Sequence, residues 1–153
     1  MSARVGFGYD SHRFGEGRPL ILGGVEVPFE RGLEGHSDAD VLTHAIIDAL
    51  IGAAGAGDIG SRFPPDDPRW SGADSIELLA IVVAELDVAA VNVDATVICE
   101  LPRLGPHRSE IEARLGAALG APVSVKATTN EGMGAIGRGE GIAAMAVALV
   151  EIA

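Results

Sequence analysis

Near the start of the chain, Gly8-Tyr9-Asp10-Ser11-His12-Arg13-Phe14 places an aspartate and a histidine two residues apart. The preceding alternation, Val5-Gly6-Phe7-Gly8-Tyr9, predicts a strand. In an extended chain residues i and i+2 face the same side. Asp10 and His12 therefore offer a carboxylate and an imidazole to one point, which is half of a metal site or half of an acid–base pair. Further on, Asp40, His44 and Asp48 recur at steps of four within a segment whose Val41, Leu42, Ala45, Ile46, Ala49 and Leu50 form a broad apolar face. That pattern is a narrow polar stripe on an apolar helix. Such a stripe is either solvated, with His44 ion-paired between two carboxylates, or turned into a cleft; its narrowness favours the cleft. Asp10, His12 and His44 then make one carboxylate and two imidazoles, the count that catalytic zinc takes while keeping one position open. No cysteine is required, which favours a catalytic over a structural metal. Asp48 or Asp40 is placed to orient His44.

Two glycine-rich segments have the chemistry of phosphate binding. In Gly57-Asp58-Ile59-Gly60 and the following Phe63-Pro64-Pro65-Asp66-Asp67-Pro68, Asp58 sits in a turn that reads either as a helix stop or as part of a site. In Lys126-Ala127-Thr128-Thr129-Asn130-Glu131-Gly132, hydroxyl and amide groups flank a lone carboxylate, and glycines leave backbone N–H groups accessible. A carboxylate combined with phosphate oxygens and waters is a common way to hold magnesium. Neither segment is a Walker loop or a dinucleotide fingerprint.

The elements that must position these groups follow from periodicity. Strands are expected at 3–9, 93–100, 123–129 and 141–152, the last being Ala- and Val-rich and readable either way. A hairpin is expected over 20–29 around Gly23-Gly24. Helices are expected at 38–54, with Ser37 as its cap, at 74–86, and at 107–119, with Pro106 in its first turn. The order is α+β: a single mixed β-sheet with helices packed on one face. The length, 153 residues, suits one domain over 1–153. No apolar run is long enough to span a bilayer, no signal peptide is evident, and the single cysteine, Cys99, leaves no intrachain disulfide, so the cytoplasm is the default compartment. The net charge of −11 argues against nucleic acid as a partner. It also repels any phosphorylated substrate unless a bound cation reverses the sign locally.

Read together, the segments resemble the 2-C-methyl-D-erythritol 2,4-cyclodiphosphate synthases of the non-mevalonate isoprenoid pathway. The resemblance rests on "GYDSHRF", "LILGGVEVP", "GHSDADVLTHAIIDALIGAAGAGDIG", "FPPDDP", "GADS", "NVDATVI", "PRLGPH", "VKATTNEGMG" and "GRGEGIAAMAVAL", which together run from residue 4 to residue 150. It implies a cytoplasmic protein, or one of the plastid stroma after removal of a transit peptide. It implies a homotrimer around a sheet-lined centre, with active sites shared between subunits. The implied reaction is an intramolecular phosphoryl transfer, a phosphorus–oxygen lyase step that closes a cyclic diphosphate and releases CMP from a cytidine diphosphate ester.

By the same resemblance Asp10, His12 and His44 hold Zn2+ or another divalent transition metal, and Glu131 holds Mg2+ or Mn2+. His36, Ser37, Asp58 and Thr129 act on the reacting groups. Asp48, Gly60, Phe63, Asp67, Thr128, Asn130 and Arg138 contact substrate. Cys99, Pro102, Arg103, Leu104 and Gly105 form the cytidine pocket, with Lys126 nearby.

Some positions depart from the family's pattern. Asn130 stands where threonine is more usual, and Arg103 where lysine is, so that a fork of donors replaces a point charge. Ala135-Ile136 replace an aromatic–threonine pair in a region that, in the family, lines an axial cavity for isoprenoid diphosphates; the loss counts against that partner here. Taken singly, Cys99 reads as a buried strand residue, His107 as surface and Trp70 as local packing. His36-Ser37-Asp38 carries an HD-like pair found in metal phosphohydrolases, without the rest of such a site. A zinc-bearing trimeric binding protein for isoprenoid phosphates is the non-enzymatic alternative, and the Glu131 and Thr128-Thr129 set argues against it.

Overall fold

The computed structural model of the chain describes residues 2–152; Met1 and Ala153, the ends of the expected unit, lie outside the described residues. Its main feature is a five-stranded mixed sheet. The first strand, β1 (Ser2–Gly15), runs antiparallel to the last, β7 (Gly141–Ile152). On the other side of β7 comes β5 (Val88–Ile98), also antiparallel, and then β6 (Val123–Thr128), parallel to β5. The short β4 (Gly32–Leu33) closes the opposite edge against the end of β1. The ambiguous 141–152 segment is thus the central strand of the sheet, and its small alternate residues Ala144, Ala146 and Ala148 are buried under helix.

Two expectations are corrected. The sheet is not the only one: β2 (Leu20–Leu22) and β3 (Val25–Val27), the hairpin expected around Gly23-Gly24, form a separate two-stranded ribbon. Strand β1 also does not stop at Tyr9. Its pairing with β7 continues as far as Arg13↔Gly141, so Asp10 and His12 lie within the strand, opposite Ala144 and Ile142. The polar residues ended the alternation pattern without ending the ladder.

Helix α1 (Val41–Ala54) lies across β1 and β7. Helix α4 (Arg108–Leu119) covers β6, and α3 (Ser75–Glu85) packs beside α1 and α4. Two single-turn helices, α2 (Ile59–Arg62) and α5 (Gly134–Gly137), interrupt the loops. The seat of α1 on β1 is unusually close. A Cβ added at Gly6 would lie 1.9 Å from the Ala49 carbonyl oxygen, and one at Gly8 would lie 1.9 Å from that of Ala45. Only glycine permits this approach. The opposite face of the sheet is open and apolar: Val5, Phe7, Tyr9, Met145 and Val147 are all exposed.

The cap of α1 also differs from expectation. Asp40, not Ser37, is the N-cap, and Thr43 N–H donates to it. Asp40 is fully buried, and it also accepts from Thr43 Oγ1 at 2.7 Å and from Gly23 and Gly24 N–H at 2.9 and 2.7 Å. Burial pushes its carboxyl above the ordinary range, against the pull of those donors. The residue joins the ribbon turn to the helix start and has no place on the stripe with His44.

Two glycine substitutions separate close approach from ordinary helix propensity. Gly8→Ala should lower stability by at least the ~1–3 kcal/mol typical of overpacking, because backbone rather than side chain must yield. Gly52→Ala, in the α1 interior with nothing nearer than 3.9 Å, should raise it by up to ~1 kcal/mol. Denaturant unfolding of both variants checks the pair.

Candidate active site

Strand β1 presents Asp10 and His12 on the face that Gly6 and Gly8 turn toward α1, and the first turn of α1 brings His44 down beside them. Asp10 Oδ2 lies 2.8 Å from His12 Nε2 and 3.1 Å from His44 Nδ1, and the two ring nitrogens are 3.4 Å apart. Tetrahedral zinc with ligands at 2.0–2.1 Å sets neighbouring ligand atoms ~3.3 Å apart, so the three atoms already have the span of a metal's ligand set. His12 Nδ1 donates to the Glu34 carbonyl at 2.8 Å, so Nε2 is the nitrogen that faces the shared point. Burial raises the Asp10 carboxyl, but hydrogen bonds and charge from His12 and His44 outweigh it and hold the pKa at about 2. Burial disfavours charge on His12, but its bond to Asp10 outweighs that and raises its pKa above the ordinary value.

Around this cluster lies a cleft of about 230 Å³. His36, Ser37, Gly60 and Phe63 line it, together with Ile59, Trp70 and Leu78. Trp70 is therefore more than local packing: its ring meets Phe63 edge-on at 4.9 Å and forms an apolar wall opposite the metal ligands. His36 Nε2 is 3.0 Å from the Asp67 carbonyl, while the Asp67 carboxylate is occupied by Arg69. Asp48 accepts from Ile59 N–H, and Asp58 caps α2 with a reciprocal bond to Ser61; both hold the 58–62 turn at the cleft's rim. The His36-Ser37-Asp38 run does not converge on a metal, since Asp38 turns to Ser75.

A second cleft of about 600 Å³ lies toward the β5–β6 edge of the sheet, past the C-terminal ends of those strands. Cys99, Pro102, Arg103, Leu104 and Gly105 form one wall, and Thr128 and Thr129 the other. Cys99 is buried, and burial together with Glu100 pushes its thiol up to about 11, so it is a packing residue there. Lys126 pairs with Asp94 at 2.7 Å in an adjoining depression. Glu131 is exposed on the next turn with φ 53°. Asn130 spends its side-chain amide on the Met133 carbonyl. Arg138 lies at neither cleft; it pairs with Glu140 at 2.7 Å beside Arg31 and Phe14. The two clefts share no residue.

Four residues support these walls through contacts that the sequence does not show, although Asp38 falls in the His36-Ser37-Asp38 run and Ser75 in the "GADS" segment. Arg18 donates to the Gly35 and Ser37 carbonyls at 2.8 and 2.6 Å, fixing the loop that bears His36 and Ser37. Glu100 accepts from Asn130 and Gly132 N–H, which bracket Glu131. Asp38 and Ser75 meet behind His44. Each pairing spans 17 to 37 residues of chain, beyond any local pattern.

The signs of the two shifts give a pH signature for the metal-free protein. Asp10, held below its ordinary 3.8, adds stability that is complete above that value and lost as pH falls toward 2. His12, raised above 6.5, adds stability that is complete below 6.5 and lost as pH rises through its folded value. With chelator present, unfolding free energy should decline above pH 6.5 in the wild-type chain, and Asp10→Asn should flatten that decline; urea titrations across pH read both.

Comparison with known proteins gives one result throughout. The model of the YgbB family matches residues 3–151. A protein of Symbiobacterium thermophilum described as 2-C-methyl-D-erythritol 2,4-cyclodiphosphate synthase is 60% identical over 152 residues, covering 95% of this chain and 97% of its own. Among solved structures, the bifunctional IspDF of Campylobacter jejuni superposes with a TM-score of 0.93 at 38% identity over 99% of this chain, which spans 43% of that longer protein. A cyclodiphosphate synthase in a CDP-bound form superposes with a TM-score of 0.88 at 36% identity, over 97% of this chain and all of the other.

Proposed function

This chain belongs to the YgbB family of 2-C-methyl-D-erythritol 2,4-cyclodiphosphate synthases, enzymes of isoprenoid synthesis, and from that premise we propose that it converts 4-diphosphocytidyl-2-C-methyl-D-erythritol 2-phosphate to the 2,4-cyclodiphosphate with release of CMP. The observation that carries the reading is the convergence of Asp10, His12 and His44 beside His36 and Ser37 in one cleft. In this reaction a 2-phosphate oxygen attacks the β-phosphorus, the bond to the CMP oxygen breaks, and its electron pair leaves with CMP. No protein nucleophile is needed. What is needed is that two anionic groups be held together and in line.

The residues divide that task. His36 and Ser37 would hold the 2-phosphate end, and Gly60, Phe63 and Trp70 would enclose the methylerythritol carbons. The segment Cys99–Gly105 would take the cytidine, chiefly through backbone groups, with Arg103 beside a phosphate. Thr128 and Thr129 would donate to the diphosphate. A transition metal at Asp10, His12 and His44 and Mg2+ at Glu131 would supply charge neutralisation of the phosphoryl oxygens. The CDP-bound relative supports a cytidine diphosphate ligand.

The metal cleft and the cytidine cleft of one chain share no lining residue, so neither offers all the expected contacts to the whole substrate. A homotrimer in which one subunit's metal cleft meets another's cytidine cleft resolves this. The exposed apolar face of β1 and β7 supports such an assembly, since monomeric proteins rarely leave a contiguous apolar surface open.

Incubation with the cytidine diphosphate ester, followed by phosphorus-31 NMR, tests the reaction. Metal-dependent appearance of CMP and a cyclic diphosphate is expected; CMP with a linear product would point to a hydrolase instead. His44→Ala should abolish turnover and transition-metal binding together, read by metal analysis of the purified protein. Glu131→Gln should retain the transition metal and shift the magnesium titration of activity to higher concentration. An unchanged titration would remove Glu131 from the site.

A further inference from the structure

The Gly72-Ala73-Asp74-Ser75 stretch ends in a serine that is completely buried, although nothing in the reaction uses it. Ser75 Oγ lies 2.8 Å from His44 Nε2, the ring nitrogen that faces away from Asp10 and His12. The same hydroxyl makes a very short contact with Asp38 Oδ1. The Asp38 carboxylate also accepts from Ser75 N–H and Asp40 N–H, at 3.0 and 3.1 Å. A carboxylate in that setting only accepts, so the single hydroxyl hydrogen of Ser75 is committed to it. Toward His44, Ser75 can then only accept. The hydrogen on that side is therefore on His44 Nε2, and Nδ1, 3.1 Å from Asp10 Oδ2, is the nitrogen whose lone pair would face a cation bound in the cluster.

Ser37 Oγ also approaches His44 Nε2, at 3.1 Å, but among the described residues no carboxylate holds it; it also accepts from Ala39 N–H. Its hydroxyl hydrogen remains free to donate elsewhere.

We propose that Asp38, Ser75 and His44 form a hydrogen-bonded relay in which Ser75 and Asp38 are positioning residues for the metal ligand, leaving Ser37 to donate to a substrate phosphoryl oxygen. The inference rests on the metal reading of the preceding subsection. It assigns different roles to two serines that touch the same nitrogen. A carboxylate reached through a hydroxyl fixes the imidazole's tautomer and raises its basicity as a ligand, as carboxylate partners of metal-bound histidines do.

The test is zinc affinity of the purified protein, measured by competition with a chromophoric chelator, for wild type, Ser75→Ala, Asp38→Asn and Ser37→Ala, with circular dichroism to confirm folding. Ser75→Ala should weaken zinc binding about 10- to 100-fold, and Asp38→Asn should weaken it in the same direction. Ser37→Ala should leave zinc affinity near wild type while raising KM for substrate. In the cobalt-loaded protein, Ser75→Ala should also shift the visible d–d absorption, which a loss of packing alone does not do. If Ser75→Ala does not fold, Asp38→Asn decides. Wild-type affinity in Ser75→Ala, or an equal loss in Ser37→Ala, overturns the relay while the metal-dependent reaction stands. Failure of the wild-type chain to bind zinc overturns both.

Discussion

Helix backbone resting directly on strand backbone at Gly6 and Gly8 sets the distance on which the rest of the site depends. With any side chain at those positions α1 would have to lift away from β1, and His44 would lift with it. At contact distance, Asp10, His12 and His44 bring their ligand atoms within 4.8 Å of one another without help from any loop. The three come from two regular elements whose mutual placement is fixed by the core. Rigid secondary structure holds a ligand set better than loops do. Asp40 adds to this by tying the start of α1 to the ribbon turn through the Gly23 and Gly24 N–H groups.

The acidic charge of the chain makes a second constraint. An anionic substrate meets a net charge of −11, and few cations stand near the metal cleft. Arg18 does not point its charge at a ligand; it uses both nitrogens on backbone carbonyls. In the proposed reaction the bound cations therefore carry most of the attraction for phosphate, and the protein contributes alignment. The apolar wall of Ile59, Phe63, Trp70 and Leu78 strengthens that attraction by excluding water from one side of the cleft.

Much of this was legible in the sequence, for physical reasons that also mark where legibility ended. The i, i+2 spacing of Asp10 and His12 and the apolar periodicity around His44 are local patterns, and local patterns survive without a fold. The strand at 141–152 could be read either way from its Ala- and Val-rich composition; the tight "GRGEG" connection before it and its β-branched residues favoured a strand. The end of β1 was not legible, because its length is set by β7, more than 100 residues away. Ser37 looked like a helix cap because both it and Asp40 suit the role; the ribbon turn's N–H groups, unseen in sequence, decide for Asp40. Trp70 read as packing because nothing local shows that its loop folds over the metal ligands. The roles of Asp38, Ser75, Glu100 and Arg18 were not legible because each acts through a partner brought near only by the tertiary fold.

X-ray absorption at the zinc edge of the metal-loaded protein tests the central claim most directly. The account predicts one zinc per chain with a shell of nitrogen and oxygen only, two imidazoles among the scatterers, and no sulfur. A sulfur scatterer, which could come only from Cys99 or a methionine, or a shell lacking two imidazoles, would contradict the assignment of Asp10, His12 and His44 as the ligand set.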